Sequence, residues 1–388
     1  MAQYPRPMAL SRRQVLAHGA AAAALAVGGL SFGAPAAGAS QPSLDRALLD
    51  AMRQLHETPG GPPAILVAFG HGFRSVGVAD LGKQRPPHAT DHTRLASVAK
   101  AFSGATALAL VACGRLSLDD TVGRRLDGLP REWSRVTLSQ LLGHTSGIPD
   151  FSGTDKFREA LLAALQNPPP HRRLLTYVDD PKLAFRPGTQ YAYSNSDNII
   201  VALMCEAATG DSYADVLQRR VLDPLRLKET SLPNGSAMPS PFVHGYDITE
   251  QPPEDASTLV AAGWAWASGG IVSTPADTVR FISGYVRGDT TNRAARQAQF
   301  QFRPGKSEPP GPGVNAAGLA LFRYDTRYGR VYGHTGNTAG YTQFTAATAD
   351  GSRAVAVTAS AQISPTNNTR FLPQLVEIFE LAVGVALS

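Results

Sequence analysis

The sequence predicts an α+β fold, an antiparallel sheet flanked by helices with an all-helical lobe inserted into it. Two observations predict it: strand-like runs lie towards both ends of the 388-residue chain, and helices joined by Pro/Gly loops fill the middle. Leu44 to His56 has helical periodicity, and Ala64 to Phe69 and Arg74 to Val78 read as strands joined at Gly70-His71-Gly72. Ser97 to Cys113 is rich in Ala, Leu and Val and free of Pro, so it reads as a buried helix ended by Gly114. Helices follow at 138–142, 156–166, 197–208 and 213–222, with rigid turns at Pro168-Pro169-Pro170 and Arg186-Pro187-Gly188. After about Val260, a helix from Pro275 to Val286 leads to four strand-like runs: Gly318 to Tyr324, Arg330 to Thr335, Tyr341 to Thr348 and Arg353 to Thr358. Asp325 to Gly329 and Asp350-Gly351 hold hairpin-turn residues. Phe371 to Leu387 is apolar but interrupted by Gln374, Glu377 and Glu380, which predicts an amphipathic closing helix. Gly305 to Gly313 is a Pro/Gly-rich loop to which the sequence assigns no role.

The N-terminus predicts export. Ser11-Arg12-Arg13-Gln14-Val15-Leu16 is a twin-arginine pattern, an Ala/Leu/Gly stretch runs from about Ala20 to Leu30, and Ala37-Gly38-Ala39 offers a cleavage site before Ser40. The expected organisation is a signal peptide over 1–39 and a catalytic domain over 40–388. Within that domain an α/β lobe takes about 40–115 and 260–388, and a helical lobe about 116–259. No other segment has 18 uninterrupted apolar residues, so no membrane span is expected in the mature chain. The net charge of +5 falls by three to +2 once Arg6, Arg12 and Arg13 are removed, and no Lys/Arg-rich run is present. Nucleic acid is therefore not an expected partner. Cys113 and Cys205 lie in apolar helical contexts and are expected as buried free thiols. Metal-ligand spacing is absent, and no cofactor is expected.

Three short motifs carry the chemistry: Ser97-Val98-Ala99-Lys100, Tyr193-Ser194-Asn195 and His334-Thr335-Gly336. A serine hydroxyl needs a nearby base to become a nucleophile. Ser97 and Lys100, three apart at the start of a helix, share one face, and the helix N-terminus favours negative charge there. Lys100 can act as a base only if burial or neighbouring positive charge lowers its pKa. Tyr193 beside an ammonium is expected to move towards phenolate, take the serine proton and pass it to the leaving group. Asn195 can bind Lys100 and a substrate carbonyl; Asn195 or Ser196 also makes a natural helix N-cap. His334-Thr335-Gly336 is expected at the end of a strand, where Gly336 lets a substrate backbone approach. The N–H of Asn337 can pair with that of Ser97 as an oxyanion hole.

Two other serines compete. Gly29-Leu30-Ser31-Phe32-Gly33 fits a nucleophile elbow by spacing, but it lies in the leader and lacks the strand–turn–helix context. Ser146, in Gly143-His144-Thr145-Ser146-Gly147, reads as a loop cap.

The three motifs in this order resemble those of the serine hydrolases that include D-Ala-D-Ala carboxypeptidases, class C β-lactamases and β-lactamase-like esterases. The runs Gly114 to Val122, Leu141 to Asp150 and Phe185 to Gly188 resemble that family too, so the likeness extends from about Leu44 to the C-terminus. The resemblance implies a β-lactamase/transpeptidase-like fold with its site at the lobe junction. The His-Thr-Gly form of the third motif and the run Trp264 to Gly270 are similar to those of secreted carboxypeptidases. That branch implies that Thr335 and His334, the latter a weak and pH-dependent cation, help to bind the terminal carboxylate of a peptide. It also implies an arginine on the preceding strand. Arg323 is the candidate for that role, with Phe322 competing for the slot by a one-residue change of register. Asn337 stands where that branch has threonine. The expected activity is thus a serine D-alanyl-D-alanine carboxypeptidase acting on a small peptide. An esterase or β-lactamase on the same site, and a peptidoglycan- or β-lactam-binding sensor, are the alternatives. Oligomeric state is not readable.

Overall fold

The computed structural model describes residues 41–70 and 72–388. The twin-arginine pattern, the cleavage site and Gly29 to Gly33 lie outside the described residues. The sheet has eight strands: β1 (Ala64–Phe69), β2 (Gly72–Gly77), β3 (Arg303–Pro304), β4 (Val314–Ala317), β5 (Phe322–Thr326), β6 (Gly329–Thr338), β7 (Tyr341–Ala347) and β8 (Ala354–Ala359). Their order is β2-β1-β8-β7-β6-β5-β4-β3, and every neighbouring pair is antiparallel. The N-terminal hairpin is therefore stitched to the last strand, with Ile65 opposite Ala359 and Phe69 opposite Val355.

Alternation along each strand sorts side chains between two cores. Ile65, Val67, Val355 and Val357 face helices α1 (Gln41–Glu57) and α5 (Leu372–Leu387), meeting Leu48, Met52, Leu375 and Phe379. Ala68, Ala354 and Ala356 face the other way, into a core shared with α2 (Ala99–Ala112), α3 (Asn195–Thr209) and α4 (Pro275–Arg287). Each large apolar side chain fully buried there contributes about 1.5–3 kcal/mol. Helix α2 is buried from Ala99 to Leu110, on every face. A helix that is apolar all round has no solvent side, so a lysine on it is necessarily buried.

The sequence missed β3 and β4 and started β5 too early. Gly318 N–H donates to Leu321 O, making a tight turn between β4 and β5 where a strand was expected. The expected helix at 156–166 is Asp155–Ala163, and the one at 213–222 is α-helical only over Tyr213–Leu217 before a wider turn through Leu222. Both cysteines are free; Cys205 is buried, but Cys113 is exposed because α2 leaves the core at its C-cap. Among the described residues, no helix is long and apolar enough to cross a membrane.

Candidate active site

Strand β6 makes the site possible. Its pairing with β5 covers only Gly329 to Gly333, so His334 to Thr338 keep β7 on one side and leave the other edge free. A 3-10 turn, Ala96–Val98, sits against that free edge and carries Ser97. The turn is tied to the sheet from below: Gln343 on β7 donates to Arg94 O at 2.9 Å and accepts from Thr358 Oγ1 at 2.7 Å. Ala96 adopts φ +49°, the left-handed region that costs an L-residue about 1–2 kcal/mol. The approach of the turn to the strand explains Gly336. A Cβ there would stand 2.4 Å from Leu95 O and 3.0 Å from Ser97 N. The His-Thr-Gly motif thus lies inside a strand running to Thr338, not at the end of one; pairing with β7 carries the strand through Gly336.

Lys100 follows Ser97 by one helical turn and is fully buried. Its Nζ donates to Ser97 Oγ at 3.1 Å, Asn195 Oδ1 at 2.6 Å and the carbonyl of Ser268 at 2.7 Å. Burial disfavours the charged amine and brings its pKa down to about 7, although the carboxylates of Asp150, Glu308 and Asp197 pull the other way. Asn195 opens α3 but does not cap it. Ser194 holds the N-cap position without a side-chain bond, and Ser196 Oγ donates to Pro149 O. Asn195 instead spans the site, its Nδ2 donating to Asp150 Oδ2 at 2.9 Å and Ser152 Oγ at 2.8 Å.

The Tyr193 hydroxyl is enclosed and lacks a hydrogen bond of good geometry, and its ring centroid lies 5.0 Å from Lys100 Nζ. Burial raises its pKa well above the ordinary tyrosine value, with the Ser97 hydroxyl as a smaller opposing influence. The expected phenolate is therefore corrected. Burial thus favours a neutral phenol at Tyr193 and lowers the cost of a neutral amine at Lys100. Behind Tyr193 lies a buried group that sequence reasoning passed over. His144 packs its ring 4.6 Å from that of Tyr193, Asp197 Oδ2 lies 3.0 Å from His144 Nδ1, and Ser146 Oγ donates to Asp197 Oδ1 at 2.6 Å. Ser146 is thus an internal brace.

His334 is corrected as well. Its Nδ1 donates to Thr335 O at 2.6 Å, its Nε2 is buried without a partner, and burial lowers its pKa to about 3. A neutral imidazole stands where a weak cation was expected. Thr335 Oγ1 donates to Pro309 O at 2.5 Å. Adjacent strand residues point to opposite faces, and here Phe322 takes the slot at the site, edge-on to His334 with centroids 4.9 Å apart. Arg323 is turned away, its Nε 3.1 Å from Asp325 Oδ2 and its guanidinium over Phe302, so it is not placed to bind substrate. Asn337 uses its side chain to hold Thr342, Ile363 and Gln362. Ser268, Asp150, Ser152 and Glu308 also surround the site. His144, Ser146 and Asp150 were visible in the quoted run Leu141 to Asp150, but their roles depend on contacts with Asp197 and Asn195 that no local pattern reveals.

A sequence model of the beta-lactamase family, described simply as "Beta-lactamase", matches residues 50–372. The chain belongs to the beta-lactamase family. Among its relatives in that family, penicillin-binding protein 4* of Bacillus subtilis is 25% identical over 316 residues, covering 76% of this chain and 66% of the relative. The D-alanyl-D-alanine-carboxypeptidase/endopeptidase AmpH of Escherichia coli is 27% identical over 239 residues, covering 59% of this chain and 58% of AmpH. The chain thus spans less than two thirds of the length of these relatives. Among solved structures, a D-stereospecific amidohydrolase from Streptomyces sp. superposes with a TM-score of 0.72 at 25% identity, over 85% of this chain and 98% of that one. A D-amino acid amidase from Ochrobactrum anthropi SV3 gives 0.74 at 22% identity, over 88% and 98%. A beta-lactamase-family serine hydrolase with the β-lactamase/transpeptidase fold is what these findings establish.

Proposed function

We propose that this hydrolase is exported, works through an ester on Ser97 and cleaves an amide or ester whose leaving group need not carry a carboxylate. The observation that carries the reading is a lysine amine with a pKa of about 7, 3.1 Å from the Ser97 hydroxyl. Neutral Lys100 takes the proton as Ser97 Oγ bonds to the substrate carbonyl carbon. The N–H groups of Ser97 and Asn337 are the proposed holders of the oxyanion. The bond to the leaving group breaks as Tyr193 passes that group a proton, replenished from Lys100. Water then attacks the ester, giving its proton back along the same path and releasing the acid and free Ser97.

The acyl side fits a cleft of about 260 Å³ that opens at Ser97, where Phe157, Leu161, Leu259, Val260 and Trp264 form an apolar part of a wall that also carries Arg94, Asp247 and Glu254. The apolar part of the wall suits an apolar portion of the acyl group. D-alanyl-D-alanine carboxypeptidase activity, the expectation from sequence, requires a cation for the terminal carboxylate. Arg323 is turned away, His334 is neutral, and Arg94 directs Nε and Nη2 to the carbonyls of Ser257 and Ser236. The geometry therefore favours an amidohydrolase or esterase. The Streptomyces amidohydrolase, a relative by fold and sequence, supports a D-configured acyl group as the first substrate to try.

Intact mass after mixing with benzylpenicillin and with phenylacetyl esters tests the reading. An acyl adduct or turnover is expected in the natural protein and neither in Ser97→Ala. Turnover retained by Ser97→Ala overturns it. Tyr193→Phe should slow acylation by roughly 10²–10⁴-fold; stopped-flow acylation at the natural rate would remove Tyr193 from the proton path.

A further inference from the structure

The Gly305 to Gly313 segment is a strap held down at the site. It joins β3 to β4, and three of its residues are pinned in succession. Lys306 O accepts from Tyr191 Oη at 2.6 Å, Ser307 Oγ accepts from Tyr324 Oη at 3.0 Å, and Pro309 O accepts from Thr335 Oγ1 at 2.5 Å. Gly305 and Gly311 let the strap lie flat, since a Cβ would meet the Tyr191 ring at 2.8 Å or the Tyr324 ring at 2.2 Å. Ser307 and Pro309 are buried, whereas Glu308 between them is exposed. Among the described residues Glu308 makes no hydrogen bond or ion pair; partial enclosure of its carboxyl and the charge of Asp150 raise its pKa, the charges of Lys306 and Lys100 pull it down, and its own charge is felt at Lys100 and Tyr193. A carboxylate held by a pinned backbone, without a hydrogen bond of its own, is a poor structural element and a ready counter-ion.

Its side of the site can be assigned. No strap residue lines the cleft at Ser97, while the strap is anchored to Thr335 and to Tyr191, two residues before Tyr193. With the acyl group in the cleft, as proposed above, the strap borders the leaving group. A second observation points the same way independently of Glu308. The Nδ1–H of His334 is committed to Thr335 O, and its buried Nε2 has no acceptor to stabilise a second proton. This part of the site thus presents a lone pair where a carboxylate-binding pocket needs a positive charge.

We infer that Glu308 is the specificity-determining residue of the leaving-group side, and that this side selects a leaving group bearing a protonated amine and disfavours one bearing a carboxylate. The inference rests on the hydrolase reading of Ser97 and Lys100.

Three phenylacetyl thioesters that differ only in leaving-group charge test it: those of 2-(dimethylamino)ethanethiol, 2-mercaptoethanol and mercaptoacetate. The readout is the ratio of kcat/KM for the cationic and anionic thioesters, which general damage to the strap would not move. The natural protein should favour the cation by about tenfold at low salt and less at high salt. Glu308→Gln should bring the ratio near one, and Glu308→Lys should reverse it. A flat ratio in the natural protein, or an undiminished one in Glu308→Gln, overturns the inference while leaving the hydrolase reading intact. Turnover of none of the three overturns both together.

Discussion

Gly336→Ala should lower kcat/KM by about 100-fold or more while leaving the protein folded. The added methyl would sit 2.4 Å from Leu95 O and 3.0 Å from Ser97 N, both backbone atoms without a rotamer to yield. Relief requires the turn and strand β6 to part by about 1 Å, a misplacement that costs roughly 10² in rate when a nucleophile and its oxyanion donors must converge. The sheet has little reason to unravel, because β6 remains paired with β7 along Tyr332 to Thr338. Steady-state kinetics beside a thermal melt separate the two effects. Activity within about threefold of the natural protein would show that the strand edge is not part of the reacting geometry.

The second large effect concerns Lys100. Acylation should rise with pH and level off above a midpoint near 7. Only the neutral amine can accept the serine proton, and burial lowers the pKa to about that value. Below the midpoint the amine is protonated and inert, so the limb is on the acid side. Lys100→Arg, which cannot lose its charge, should cost acylation on the order of 10²–10⁴-fold at every pH. Because Glu308 raises the Lys100 pKa by its charge, Glu308→Gln should move the midpoint to lower pH. Single-turnover acylation across pH 5 to 9 is the measurement. A profile with no limb in that range would take the base role from Lys100.

Much of the framework was legible in the sequence. The periodicity of α1 and α5 and the β-rich runs at 64–69 and 353–358 foretold a sheet between terminal helices, and the three motifs named the residues that meet at the turn. What stayed hidden depended on distance or on parity. Lys100 is held by the Ser268 carbonyl 168 residues away, and that enclosure sets its pKa. Whether His334 is charged follows from its burial, which histidine as a residue type does not disclose. Phe322 and Arg323 exchange faces with a one-residue shift, and pairing with β6 decides between them. The strap has no periodicity at all; its meaning comes from three anchors on Tyr191, Tyr324 and Thr335.

The place of β1 in the sheet bears on how such a molecule is born. Its neighbours are β2, made at once, and β8, made near the very end; Ala64 N–H donates to a hydroxyl 296 residues downstream. A ribosome adding about 5–20 residues each second needs tens of seconds to cover that gap. During that time the early hairpin has only α1 against one face and no strand on its other edge, and ordering it against β8 carries the entropy of closing a very long loop. The edge on which Ser97 rests belongs to that same late-made sheet. Nascent chains should therefore be catalytically silent until synthesis has passed β8, and a chaperone or transport factor that waits for the finished sheet would be waiting for the finished enzyme.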